Sequence, residues 1–406
     1  MNIKSLLLGS AAALIAVSGA RAADVVVAEP EPVEYVRVCD AYGEGYFYIP
    51  GTETCMRISG YVRADIAGGD NVYARKRGDI DRDTYAWRTR ATLRFHTASE
   101  TELGTLRTFV ELRSQWDDGH DTNGGQLRFA FIELGGIRVG LDESIFNHWT
   151  GYFGNVINDD VLSPMAYTRT NVISYTFNAG NGFSAILGLE QGNDDADDYG
   201  YRYHNDYTDI ADVKGHKLSG KIDDYTPNVV GGLKFVQGWG GVSVVGAYDA
   251  YYEEWAAKAR LDLNVTDQWS VWVMGGYKSA DDYYDRDETY VPRTKNGLTK
   301  IGVYRQVNSI YGDWGGDWAV WGGTTFKFNK KTSFNAQVAY DDTDTFAASV
   351  NVKYELVPGL VITPELSYIS WENDYSARNA ANTEKVVNSL KGQDAFQGML
   401  RIQRSF

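Results

Sequence analysis

Cysteine, histidine, proline and long apolar runs are all scarce in this chain of 406 residues. Cys39 and Cys55 are its only cysteines, which excludes a scaffold held by many disulfides and the four-thiolate sites of structural zinc. Five histidines, His96, His120, His148, His204 and His216, stand without metal-ligand spacing. A hydrolase using His148 and a nearby serine would have only residue order to recommend it. No enzymatic activity, cofactor or metal is therefore expected. Positive charge is also short: 39 Lys and Arg against 54 Asp and Glu leave a formal net charge of -15 at pH 7, which makes nucleic acid a poor partner. The acidic run "NDDADDYG" at 193–200 lacks the spacing of a calcium loop and reads as a solvated surface loop.

Downstream of residue 22 no stretch is apolar enough or long enough to cross a membrane as a helix, which takes roughly 18 residues or more. A membrane role would have to use strands. Length alone suggests two or three soluble domains. Against that division, 43 Gly, 28 Tyr, 11 Trp and only 8 Pro keep one texture from Arg57 to Phe406.

What is present begins with the amino terminus. "MNIKSLLLGSAAALIAVSGARA" has a basic start at Lys4, an apolar stretch too short for a spanning helix, and the small-x-small triplet Ala20-Arg21-Ala22. That is the anatomy of a secretory signal peptide occupying 1–22. Export to an oxidising compartment predicts a Cys39–Cys55 disulfide, worth roughly 3 kcal/mol in the chain-entropy model. Residues 23–55, with the Pro/Glu-rich "AEPEPVEYVR", read as a periplasmic lead-in segment.

From Met56 a period of two takes over. Ile58, Gly60, Val62, Ala64 and Ile66 alternate with Arg57, Ser59, Tyr61, Arg63 and Asp65; Trp87, Ala91, Leu93 and Phe95 alternate with Arg88, Arg90, Arg94 and His96. About sixteen such segments, each near ten residues, run to the terminal "DAFQGMLRIQRSF", the length a tilted membrane strand requires. Alternation alone does not separate a membrane barrel from a soluble sandwich. The connections do. Tight links such as "NAGNG", "QGWGG", "NVTDQ", "NKKT" and "VPGL" alternate with links that include long polar ones near 67–83, 144–170, 192–227, 279–316 and 372–393. Long loops on one side and tight turns on the other point to an outer-membrane antiparallel β-barrel over 56–406. Phe177, Phe183, Phe235, Trp269, Phe328 and Phe334 beside the tight links fit an interfacial aromatic girdle. A closed barrel also requires the last strand to pair with the first, which places Phe406 in that girdle.

The block "VCDAYGEGYFYIPGTETCMRISGYVRAD" at 38–65, with its cysteine pair and leading "AEPEPVEYVR", resembles the start of general porins of alphaproteobacteria, the Brucella and rhizobial outer-membrane porins. The resemblance extends over the strand rhythm to the terminal Phe406. It implies a sixteen-stranded barrel, usually a homotrimer in outer-membrane lipid, whose third extracellular loop, here about 144–170, folds inward and narrows a water-filled channel. It further implies that Phe406 belongs to the signal read by the barrel assembly machinery.

If the apolar faces meet lipid, then Arg57, Arg63, Arg88, Arg90, Arg94, Arg107, Arg113, Arg128 and Arg138 face the lumen as a basic wall. Asp159 and Asp160 form the acidic pair of the inward loop, with Glu143 at its base. Acids facing bases across a narrow gap set a transverse field that favours polar solutes. The expected function is passive diffusion of small hydrophilic solutes and ions, with at most weak cation preference. Some arginines could instead serve as structural ion pairs with Glu111 and Asp65, and the aspartate pair as a solvated loop tip. A sugar-selective channel stays open as the alternative through Trp272 and Trp321, which fall on polar-face positions. A secreted soluble binding module is the more distant rival.

Overall fold

The computed structural model describes residues 37–74, 77–151, 154–165, 169–192, 203–204, 225–250, 253–280, 284–293, 297–306, 309–372 and 390–406. The segment 1–22, read above as a signal peptide, and the acidic run at 193–200 lie outside them.

Period-two alternation forms sixteen strands: β1 (Cys55–Gly69), β2 (Ala86–Thr101), β3 (Gly104–Asp117), β4 (His120–Leu134), β5 (Ile137–Asp142), β6 (Thr170–Asn178), β7 (Phe183–Glu190), β8 (Asn228–Gln237), β9 (Gly240–Asp249), β10 (Glu254–Asn264), β11 (Trp269–Lys278), β12 (Trp318–Lys327), β13 (Thr332–Asp341), β14 (Thr345–Val357), β15 (Leu360–Trp371) and β16 (Gln393–Ser405). Chain neighbours pair antiparallel throughout, and β16 pairs with β1 as well as β15, with Tyr61 opposite Ser405 and Ile66 opposite Leu400. The barrel is closed, so every strand has a partner on both sides. The chain terminus is tied into this seam: the Phe406 amide donates to the Gly60 carbonyl at 3.0 Å and its carbonyl accepts from the Gly60 amide at 2.9 Å. A side chain at position 60 would meet the Thr92 carbonyl and come within 3.1 Å of the Phe406 ring. Glycine is what lets that ring lie against β1.

Burial is inverted relative to a water-soluble domain. On β1 the outward Ile58 and Val62 are 48% and 51% exposed, whereas the inward Asp65 is 4% exposed. Glu111, Glu190, Asp249, Lys258, Lys278 and Glu365 are likewise buried inside. An exposed apolar band around buried charge is stable only if the outer face meets lipid. Phe177, Phe235, Trp269 and Phe328 are exposed on that outer face near the tight turns.

Links at one end of the barrel hold two or four residues: 102–103, 135–136, 179–182, 238–239, 265–268, 328–331 and 358–359. The opposite end carries the long ones, but not uniformly. "HDTNGG" at 120–125 shows no alternation, yet it opens β4, pairing with β3 through three register irregularities. The link before it shrinks to Asp118 and Gly119, both at positive φ (46° and 92°), as a tight primed hairpin turn demands. Within 279–316, expected to be a link between strands, Tyr284–Arg293 and Gly297–Gln306 instead pair antiparallel, and the second also pairs with Tyr203–His204.

At the turn end, the lead-in folds back on the first strand. A short 3₁₀ turn at Asp40–Tyr42 precedes a two-residue strand, Phe47–Tyr48, paired to Met56 and Cys55. The Cys39–Cys55 disulfide is formed, and both cysteines are buried with Tyr46 and Ala98. Cys55 is also the first residue of β1, so the bond ties the lead-in directly to the barrel wall.

Candidate functional site

Inward arginines on neighbouring strands find partners either across the ladder or along their own strand. Arg94 Nε donates to Glu111 Oε2 at 2.7 Å, and Arg113 Nη2 to Glu111 Oε1 at 3.1 Å. Arg88 Nε donates to Asp117 at 2.8 Å and Arg90 Nε to Gln115 at 2.6 Å. Arg138 bridges Glu133 and Asp142, both at 2.7 Å. Arg63 lies 3.4 Å from Asp65, and Arg57 Nη2 sits 3.3 Å from His96 Nε2. Arg128 has its guanidinium 5.9 Å from the Phe129 ring centre. Structural pairing and exposure to the lumen are thus compatible: these eight arginines all border one cavity of about 1160 Å³. Arg107 is not among its lining residues; it is exposed near the turn end, opposite Glu133 in the β3–β4 ladder.

The far side of that cavity is the inward loop, described at 143–151, 154–165 and 169, which leaves the wall after the short β5 and reaches across the lumen. Its start is fixed by Glu190, a fully buried carboxylate that accepts from the Ile145 amide at 2.6 Å, Ser144 Oγ at 2.9 Å and the Tyr311 hydroxyl at 2.8 Å. Ser144 caps a single helical turn, Ile145–His148, through the Phe146 amide. Phe146 is buried, with its ring 5.5 Å from that of Tyr311. Further on, backbone groups are held by side chains of the opposite wall. Gln337 accepts from the Gly154 amide at 3.1 Å and donates to the Asp159 carbonyl at 2.8 Å; Asn351 donates to the Asn155 carbonyl at 2.9 Å. Glu365 on β15 accepts from the amides of Ile157 and Asn158, the second at 2.7 Å, and from Asn351 Nδ2 at 2.9 Å. Trp321 Nε1 donates to the Leu162 carbonyl and Lys258 Nζ to the Pro164 carbonyl. A loop in a lumen needs its backbone groups satisfied, and the polar faces of β10 and β12–β15 satisfy them.

Val156, Ile157, Asn158, Asp159 and Asp160 therefore border the same cavity as the arginines, as does buried Glu143 at the loop base. Burial and the charge of Asp160 push Asp159 up to about 8. Burial likewise pushes Glu143 to about 8, with Asp142 adding to the rise. Desolvation pushes His148, half-buried and bordering the cavity, down to about 4.

Several residues at this site escaped the sequence analysis. Arg401 of β16 clamps Asp65 across the closing seam with two bonds of 2.7 and 2.9 Å; alternation in the last strand already put it on the inward face. Arg82 and Tyr73 reach in from 70–85, Arg82 donating to Gln397 at 2.8 Å. Glu365 and Glu190 also fall on inward positions, but their partners in the inward loop lie over 40 residues away. Trp321, by contrast, is buried as a loop anchor with its ring 5.5 Å from Trp314, and half-buried Trp272 has the Arg260 guanidinium 4.3 Å over its ring. Trp321 belongs to a buried aromatic cluster with Trp314, Phe146 and Tyr311, and neither that cluster nor Trp272 lines the arginine-bordered cavity.

Comparisons with known proteins agree with this architecture. A family described as "Porin subfamily" matches residues 24–399. Porin Omp2b of Brucella suis is 50% identical over 420 residues, covering the whole of both chains, and Porin Omp2b of Brucella abortus (strain 2308) is 49% identical over 417 residues, again end to end. Among solved structures, the outer membrane channel DcaP of Acinetobacter baumannii superposes with a TM-score of 0.55 at 15% identity, over 88% of this chain and 99% of that one. A triple mutant of the Rhodopseudomonas blastica porin gives 0.51 at 13% identity, over 86% and 100%; at such identities the likeness concerns the fold alone. With the family matched over nearly its full length, the chain belongs to the porins: it is a β-barrel channel of the outer membrane.

Proposed function

We propose that small hydrophilic solutes and ions diffuse passively through the gap between the basic wall of β1–β5 and the loop at 143–169, without a solute-specific site. The observation that carries this reading is the docking of the loop onto β10 and β12–β15, which leaves the arginine-lined cavity open on the other side. Arg57, Arg63, Arg88, Arg90, Arg94, Arg113, Arg128 and Arg138 act as the cationic side of a transverse field, and Glu143, Asp159 and Asp160 as its anionic side. Arg107 contributes at the turn-end mouth rather than at the gap. The burial of Trp321 weighs against the sugar-selective alternative, because its ring is committed to holding the loop.

In the same reading, 1–22 directs export, Phe406 belongs to the signal for the barrel assembly machinery, and three copies associate in the membrane. The test is swelling of liposomes containing purified protein in neutral sugars of increasing size. Rates should fall smoothly with solute size and show no saturation. A saturable preference for one sugar class would favour the selective channel instead.

A further inference from the structure

The acidic pair of the loop is not chemically equivalent, and the difference originates in another loop. Tyr73, in the segment 70–85, donates its hydroxyl to Asp160 Oδ1 at 2.6 Å, and lies 3.4 Å from Asn158 Oδ1. That is the short range of a charge-assisted O–H···O⁻ bond. The segment presenting it is itself fixed. Val72, Ala74 and Ile80 are buried in the apolar cluster that contains Leu162 of the inward loop. The Asn71 amide donates to the Ile80 carbonyl at 2.8 Å, and Asn71 Oδ1 accepts from the Tyr73 amide and from Arg82 Nη2, both at 3.1 Å. Asp70 exchanges bonds with Phe396 on β16: the Asp70 amide donates at 2.8 Å and Oδ2 accepts from the Phe396 amide at 2.9 Å. Asn158, the other group Tyr73 approaches, is held by Glu365 and by Ser367 at 3.0 Å.

A carboxylate bordering the cavity sets ion preference according to where its charge sits, because the interaction falls with distance and is screened over about 8 Å. We propose that Tyr73 is a further selectivity-determining residue of this channel, a positioning residue that pins the Asp160 carboxylate to the rim between the two loops and keeps it from swinging toward the arginine wall. The proposal rests on the diffusion path described above, through the gap that Tyr73, Asp160 and the arginines all border.

The experiment is the reversal potential of purified channels in a salt gradient for wild type, Tyr73→Phe, Asp160→Asn and the double variant, with the heat-dependent gel shift checking that each barrel is folded. Tyr73→Phe keeps the ring and removes only the donor. Freed, Asp160 enters the gap, and the cation-to-anion permeability ratio should rise about twofold, the effect of moving one charge by roughly 5 Å in screened water. In the Asp160→Asn background the same change should do nothing, since the residue acts only through that carboxylate. A shift on Asp160→Asn with none on Tyr73→Phe would overturn the positioning role while leaving the diffusion path intact. A Tyr73→Phe shift that persists in the Asp160→Asn background would show that the tyrosine acts on its own. No shift in any variant would overturn both the positioning role and the path.

Discussion

Replacing Glu365 by alanine should undock the inward loop without opening the barrel. Its carboxylate accepts the amides of Ile157 and Asn158 and the side-chain amide of Asn351, and it is 2% exposed. Hydrogen bonds to a charged acceptor contribute about 1.5–3 kcal/mol each, and stranded buried donors cost a comparable amount. Because several donors share one carboxylate the effects are not additive; the two loop amides together set a loss of about 3–6 kcal/mol in docking free energy. That lowers the ratio of docked to undocked loop by about a hundredfold to ten-thousandfold, at roughly 1.4 kcal/mol per factor of ten. The β14–β15 and β15–β16 ladders use backbone groups that the substitution leaves in place. Single-channel recording in a planar bilayer should therefore show larger conductance and added current noise, while the heat-dependent gel shift of the folded barrel persists. Glu365→Gln, which keeps a neutral acceptor, should fall between the two. Wild-type conductance and noise in Glu365→Ala would refute the claim that this carboxylate holds the loop.

Deleting Phe406, or replacing Gly60 by valine so that the ring loses its seat, should lower the yield of assembled barrel in outer-membrane fractions while leaving the conductance of surviving channels near wild type. The paired substitution Cys39→Ser with Cys55→Ser should lower the unfolding midpoint by an amount equivalent to about 3 kcal/mol, with conductance retained; loss of all folded protein would show that the lead-in is needed for the barrel itself. For pH, burial and Asp160 raise Asp159 to about 8, so this carboxyl is mostly neutral below that pH and charged above it. Cation preference should rise between about pH 7 and 9, and Asp159→Asn should remove part of that rise, the remainder belonging to Glu143, raised to the same region. A reversal potential flat across this window would contradict the assignment.

The wall was legible in the sequence because a strand declares its two faces residue by residue: Arg57 and Arg63, or Arg88, Arg90 and Arg94, can only share a side. The closing seam was legible for the same reason, from Phe396 to Phe406. Segments whose pairing depends on tertiary context were not. The Gly-Gly run in β4 has no alternation to display, and the paired segments Tyr284–Arg293 and Gly297–Gln306 lie in a stretch expected to be a link between strands. The loop anchors are a third kind of omission. Glu365 was visible as an inward acid, but nothing near it in the chain announces that it will receive the amides of Ile157 and Asn158. Tyr73 looked like one aromatic in a polar loop, and its pairing with Asp160 exists only because two loops meet over the lumen.

The central claim is that the diffusion path runs between the loop carrying Asp159 and Asp160 and the arginine wall. Its most direct test is the reversal potential of single channels in a salt gradient, comparing wild type with Asp159→Asn combined with Asp160→Asn at pH 8.5, above the value of about 8 to which Asp159 is raised. A clear move toward anions is expected, with the channel still open. An unchanged reversal potential and unchanged conductance would contradict it, because ions would then be passing somewhere these two carboxylates do not border.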